Sequence, residues 1–155
     1  MGKELITQGH AVVGALSVKH GLALHEIVQT FTRAQFTDDH PGAAGHAHFT
    51  NAIPAGALVI GGRVIVNLGF TGDTSAVLIV GDGSVNDRYN TSTINVFATA
   101  AGGIDLGLPS GVRYHDTAKT PVVTITSNTD FTAVVAGSVT VSLFYITPSE
   151  DLAGA

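Results

Sequence analysis

Val139-Thr140-Val141-Ser142-Leu143-Phe144-Tyr145-Ile146 alternates with a period of two. Val139, Val141, Leu143 and Tyr145 share one face; Thr140 and Ser142 take the other, joined by Phe144 and Ile146. Successive side chains of a strand point to opposite faces, so this is a strand half buried in a sandwich. Two earlier stretches repeat the pattern. From Arg63 to Phe70, Val64, Val66, Leu68 and Phe70 are expected on one face, with Arg63 and Asn67 on the other. From Val122 to Ser127, Val123 and Ile125 oppose Thr124 and Thr126. Ala76-Val77-Leu78-Ile79-Val80 is apolar on both faces, so Val77 and Ile79 are expected to lie in a doubly covered strand or against a partner. Weaker strand signals lie at 11–18, 26–36, 94–98 and 111–115.

Composition agrees. The 155 residues include 18 valines, 10 isoleucines and 18 threonines, against three glutamates, three lysines and one methionine. β-branched side chains fit a pleated surface and lose rotamer freedom in a helix. Nineteen glycines punctuate the strands. Thr71-Gly72-Asp73, Gly81-Asp82-Gly83-Ser84, Gly102-Gly103, Pro109-Ser110-Gly111, Asn128-Thr129-Asp130 and Ala136-Gly137 supply the chemistry of tight reversals. The expected fold is an all-β antiparallel jelly roll or β-sandwich of about eight strands. Its boundaries are 21–155, preceded by an extended N-terminal arm at 1–20.

Charge is scarce. Only 12% of the chain is Asp, Glu, Lys or Arg, about half the usual share for a soluble domain. Such a surface is expected to be covered by copies of itself or by a lattice. The net charge of -5 argues against direct nucleic-acid binding, which needs a basic patch. There is no cysteine, hence no disulfide framework. No run approaches the roughly 18 apolar residues of a membrane span, and the first residues lack the apolar core of a secretory signal.

Six of the seven histidines fall in the first fifty residues. The stretch 37–48, rich in small and polar residues, reads as a loop, and no clean alternation is expected before Ile27. Within it, His46 and His48 form a His-x-His, with Asp38, Asp39 and His40 upstream. Two histidines one residue apart on a strand share a face and can share a metal. A cupin-type metal site would add a Glu three or four residues on. Phe49-Thr50-Asn51-Ala52-Ile53 follows instead, so no metal, cofactor or enzymatic activity is expected, and His40, His46 and His48 stay weak metal candidates. Gly81-Asp82-Gly83-Ser84 has oxygen donors but not the spacing of a calcium loop, and reads as a tight turn. Arg88 is expected to pair with a neighbouring Asp, and Tyr89 to sit half buried at the loop base.

The N-terminal arm carries Leu5, Ile6, Val12, Val13, Leu16 and Val18, too apolar to be left in water. These residues, with Val77 and Ile79, are the expected interface. The alternative for 11–18 is an edge strand of the subunit's own sheet.

Ile53 to Ile146 resembles the cement, or head-decoration, proteins of tailed bacteriophages. The resemblance runs through Ile53-Pro54-Ala55-Gly56-Ala57 before a long strand, then Phe70-Thr71-Gly72-Asp73-Thr74 into the apolar strand 76–80. It continues through Gly81-Asp82-Gly83-Ser84 into Asn86-Asp87-Arg88-Tyr89. It closes on the hairpin Val122-Val123-Thr124-Ile125-Thr126 and Ala136-Gly137-Ser138-Val139-Thr140-Val141. The resemblance implies a structural virion protein made in the host cytoplasm. It would sit as a homotrimer on the outer capsid surface, with the major capsid protein as partner. The alternatives are a trimeric tail-fibre, spike or baseplate module and a cupin-like metalloprotein. A carbohydrate-binding sandwich is remoter, because such sites use aromatic platforms and this chain has no Trp.

Overall fold

The structure, a computed structural model, describes residues 22–38, 42–90, 92–109 and 114–148. Among them are nine strands: β1 Leu22–Thr32, β2 Thr37–Asp38, β3 Ala44–His48, β4 Leu58–Thr71, β5 Ala76–Gly81, β6 Ile94–Asn95, β7 Ala101–Asp105, β8 Val122–Ser127 and β9 Ala136–Pro148. Short 3₁₀ turns at Arg33–Gln35 and Phe131–Ala133 are the only helical elements among the described residues. Two sheets form, ordered β1-β9-β4-β7 and β2-β3-β8-β5-β6.

Setting aside the two-residue β2, the strands pair first with last. β1 pairs β9, β3 pairs β8, β4 pairs β7 and β5 pairs β6, all antiparallel. A long hairpin of strands rolled so that it closes on itself gives this order, which is the jelly roll. The expected all-β sandwich is what the chain forms.

Period-two alternation sets the core. Val139, Val141, Leu143 and Tyr145 of β9 are buried as expected, facing Val123 and Ile125 of β8 and Leu78 and Val80 of β5. At one end Phe36 contacts Phe31, Phe70 and Phe131 at ring-centroid distances of 5.9–6.1 Å, with Phe49 against Phe31 at 5.1 Å. The Arg33 guanidinium lies 4.2 Å from the Phe131 ring centroid and donates to the carbonyls of Val134 and Phe131. Five rings in mutual edge and tilted contact fill space that aliphatic strands would leave open.

Four expectations need correction. Leu68 does not share a face with Val64, Val66 and Phe70; it is 55% exposed. β4 carries an extra residue between the pairs Val66↔Val139 and Leu68↔Ser138, and another before Thr71↔Ala136. Each bulge flips the alternation, so the first turns Leu68 outward and the second returns Phe70 to the core. Second, stretch 37–48 is not a loop throughout: β3 pairs β8 from Ala44↔Thr126 to His48↔Val122, and β2 pairs β3. The inward residues of β3 are Gly45 and Ala47, small because Phe131 occupies the space a Cβ at Gly45 would need. That smallness gave the stretch its loop-like composition. Third, regular pairing begins at Leu22↔Pro148, before Ile27, and β1 ends at Thr32 rather than running to 36. Fourth, Tyr89 is fully buried, not half buried. The arm residues Leu5, Ile6, Val12, Val13, Leu16 and Val18, the candidate ligand His40 and most of the expected strand 111–115 lie outside the described residues.

Candidate functional site

The outward face of the β1-β9-β4-β7 sheet is divided along its strands. At the end where β1 begins, Leu22, Leu24 and Val28 point outward, 67%, 67% and 58% exposed. Beside them in register, Leu24 faces Ile146 and Glu26 faces Phe144 on β9. On β4, Leu58 continues the row of Ile146, and Gly61 that of Phe144. Ile60, left over by a bulge between Val59↔Tyr145 and Gly61↔Phe144, stands out at 41% exposure. The other end of the face is polar. There Thr140 Oγ1 makes hydrogen bonds of 2.8 Å with Thr30 Oγ1 and with Asn67 Nδ2, which donates.

A groove of about 530 Å³ opens at the apolar end, between β4 and β7. Ile60, Leu108 and Phe144 wall it, and Arg63 and Asp105 stand at its polar margin. Its floor is glycine: a Cβ at Gly61 or Gly103 would meet nothing within 4 Å. Asp105 and Arg63 face each other across the β4–β7 pair, and Asp105 Oδ1 accepts from the Gly107 N–H at 2.8 Å. Such a face offers apolar area, with Arg63 and Asp105 at the groove's edge and Glu26 in the β1 row between Leu24 and Val28. Burying apolar area of this kind yields roughly 25 cal/mol per Å².

The other sheet presents a different outer face. Val77 and Ile79, the strand residues expected at an interface, are half buried among Thr126, Thr124 and Asn95 of the neighbouring strands. His46 and His48 do share a face of β3, the outward one, beside Thr37, Gly83, Asn86 and Val122. His46 Nδ1 is 2.8 Å from Thr124 Oγ1. The inward positions of β3 belong to Gly45 and Ala47, so the pair looks away from the jelly-roll interior where a cupin-type site would be built. Among the described residues no three His, Cys, Asp or Glu side chains gather to hold a metal ion.

The 81–90 loop is a closed structural unit. Asp82 Oδ1 accepts from the N–H groups of Ser84 and Val85 at 2.8 and 2.7 Å, and its Oδ2 from Arg88 Nε at 3.2 Å. Burial raises its carboxyl, but the Val85 and Ser84 N–H groups and Arg88 outweigh that and hold it below the usual carboxylate value. The expected tight turn and Arg–Asp pair are both present. Tyr89 Oη lies 2.8 Å from His115 Nε2, ring edge to face, and burial lowers the His115 pKa. His115, an isolated histidine in the sequence, thus ties two distant loops together.

The alternation of β9 sets Phe144 and Ile146 opposite the buried residues, but no pattern in the sequence joins them to the apolar face of β1. The missing signal was Leu22-Ala23-Leu24, whose alternation becomes readable only once β1 is known to start there.

No family model matches this chain, and no curated protein does. Among solved structures, similar chains come from the cyanophage Pam1 capsid asymmetric unit (19% identity, TM-score 0.47, covering 84% of this chain and 87% of that one). Another comes from the disulfide-linked pili of Bacillus endospore appendages (16%, TM-score 0.43, covering 83% and 90%). A third comes from the capsid of Helicobacter pylori bacteriophage KHP30 (14%, TM-score 0.38, covering 82% and 95%). At these values the functional reading rests on the chain's own surfaces.

Proposed function

We propose that this chain is a structural subunit of a virus particle, a cement protein that trimerises and binds the outer capsid surface. The observation that carries the reading is the apolar end of the β1-β9-β4-β7 face, in a chain only 12% charged. A sandwich that buries its core completely and still exposes Leu22, Leu24, Val28 and Ile60 together on one sheet is shaped to be covered. The partners are further copies of the chain and the shell subunit. Three copies held together would bind the shell through three weak contacts at once, and linked contacts reinforce one another without any single strong one. The reading assigns no catalytic role. The outward placement of His46 and His48 disfavours the cupin-like alternative.

The test is addition of purified protein to undecorated phage heads, followed by heating. Sedimentation of the protein with the heads, and DNA release shifted to higher temperature, is the expected result. Protein that stays in the supernatant at micromolar concentration overturns the cement role.

A further inference from the structure

We propose that the glycine-floored groove beside Phe144 receives Leu5 and Ile6 from the N-terminal segment of a neighbouring copy, so that subunits are linked by exchanged arms. This rests on the multimeric reading above and names the contact that holds it.

The first argument is length. The chain has 21 residues before Leu22, where β1 begins. Their apolar positions run from Leu5 to Val18, which extended is about 43 Å at roughly 3.3 Å per residue. The apolar end of the face, Leu22 to Val28, is about 20 Å long by the same rise, and about 14 Å wide across three strand spacings. One subunit's patch is thus too short for its own segment, while the segment is long enough to cover it and continue onto the next subunit.

The second argument is shape. A groove whose floor is Gly61 and Gly103, with open space above both, admits side chains from another chain right down to the sheet backbone. Ile60, Leu108 and Phe144 give it apolar walls. The third is charge. The sequence Lys3-Glu4-Leu5-Ile6 places one charge of each sign beside two apolar residues. The groove places Arg63 and Asp105 beside its apolar walls. With Leu5 and Ile6 inserted, Glu4 meets Arg63 and Lys3 meets Asp105. An exchanged arm adds contacts to a neighbouring subunit at the conformational-entropy cost of fixing its residues there.

The chain has no cysteine, so the contact can be trapped in the full-length protein. Two variants are made, Leu5→Cys and Leu108→Cys, and mixed under mild oxidation. The expected result is a mixed disulfide dimer, in severalfold excess over the dimer that Leu5→Cys forms with Thr126→Cys on the opposite sheet. Gly103→Leu, added to the Leu108→Cys partner at a position whose Cβ meets nothing within 4 Å, projects into the groove and should cut the yield severalfold. Arg63→Glu should lower it, and Glu4→Arg in the other partner should restore it. A mixed dimer no more abundant than the Thr126→Cys control overturns the proposal. So does a doubly substituted chain that closes only on itself at monomer mass. These results concern the isolated protein, so they stand apart from whether it binds a phage head.

Discussion

Gly45 decides where the His-x-His pair points. Phe131 fills the space above it, and Gly45 pairs Ile125 across β3 and β8. Because the inward place is taken by a ring, the flanking residues Ala44, His46 and His48 must face out. Gly45→Ala forces the new methyl against Phe131 in a packed core, which costs about 2 kcal/mol. The expected outcome is a lower urea midpoint with an unchanged m-value. Phe131→Leu in the same chain should relieve part of the cost, because residues in contact do not act additively. His115 sets a pH dependence at the same scale. Its pKa is lowered in the fold, chiefly by burial, from the ordinary 6.5. The unfolded chain therefore takes up a proton that the folded chain resists. Stability from this group is complete above about pH 6.5 and falls as the pH drops below it toward the folded value. Tm measured between pH 7.5 and 5 should fall, and His115→Gln should flatten the slope. Asp82 is likewise held below its ordinary 3.8, so it acts in the same sense and loses its share only at pH values under about 3.8. The two groups can therefore be read in separate windows.

At the scale of the strand, β1 and β4 carry the features that matter. Among the described residues β1 pairs only β9, with Ile27 and Phe31 inward and Leu22, Leu24 and Val28 outward. The inward residues hold the strand to the sandwich, so changes on the outer set should leave the fold intact. Leu24→Lys with Ile146→Lys places two charges in one row of the face. Such surface changes shift stability by about 0.5 kcal/mol or less. The expected outcome is a Tm close to the parent together with loss of the self-association proposed for the parent. A large drop in Tm would show instead that the row belongs to the folding core. β4 shows how local irregularity re-aims side chains. Three bulges in fourteen residues send Ile60 and Leu68 outward while Val64, Val66 and Phe70 stay inside. A strict period of two read along the chain misplaces Leu68, since a bulge is a property of the pair of strands and needs the partner to be seen.

For the whole molecule, scarcity of charge and the divided outer face point the same way. A closed ring of identical subunits hides an apolar face that a lone subunit would leave wet. Light scattering at micromolar concentration should return a mass of three chains, and a single-chain mass under those conditions overturns the trimer. Adding salt should hardly alter the assembly, because the proposed contact is mainly apolar and screening acts on charges.

What the sequence determined alone is the class of the fold. Val139 to Tyr145, Val123 with Ile125, and Leu78 with Val80 repeat every second residue, and that period suffices to say strand and to say which side is buried. The turn at Asp82 and its Arg88 partner were equally legible, since their hydrogen bonds close within seven residues of chain. The tertiary structure decided the rest, because the deciding contacts join residues far apart in sequence. Gly45 and Ala47 are small on account of Phe131, so β3 carried a loop's composition while being a strand. Leu68 faces outward because β9 offers one residue where β4 offers two. Leu22, Leu24, Phe144, Ile146 and Ile60 form one surface only when the first strand lies beside the last and the last beside β4. No period along a single strand encodes that adjacency; it arises from rolling the sheet so that its ends meet.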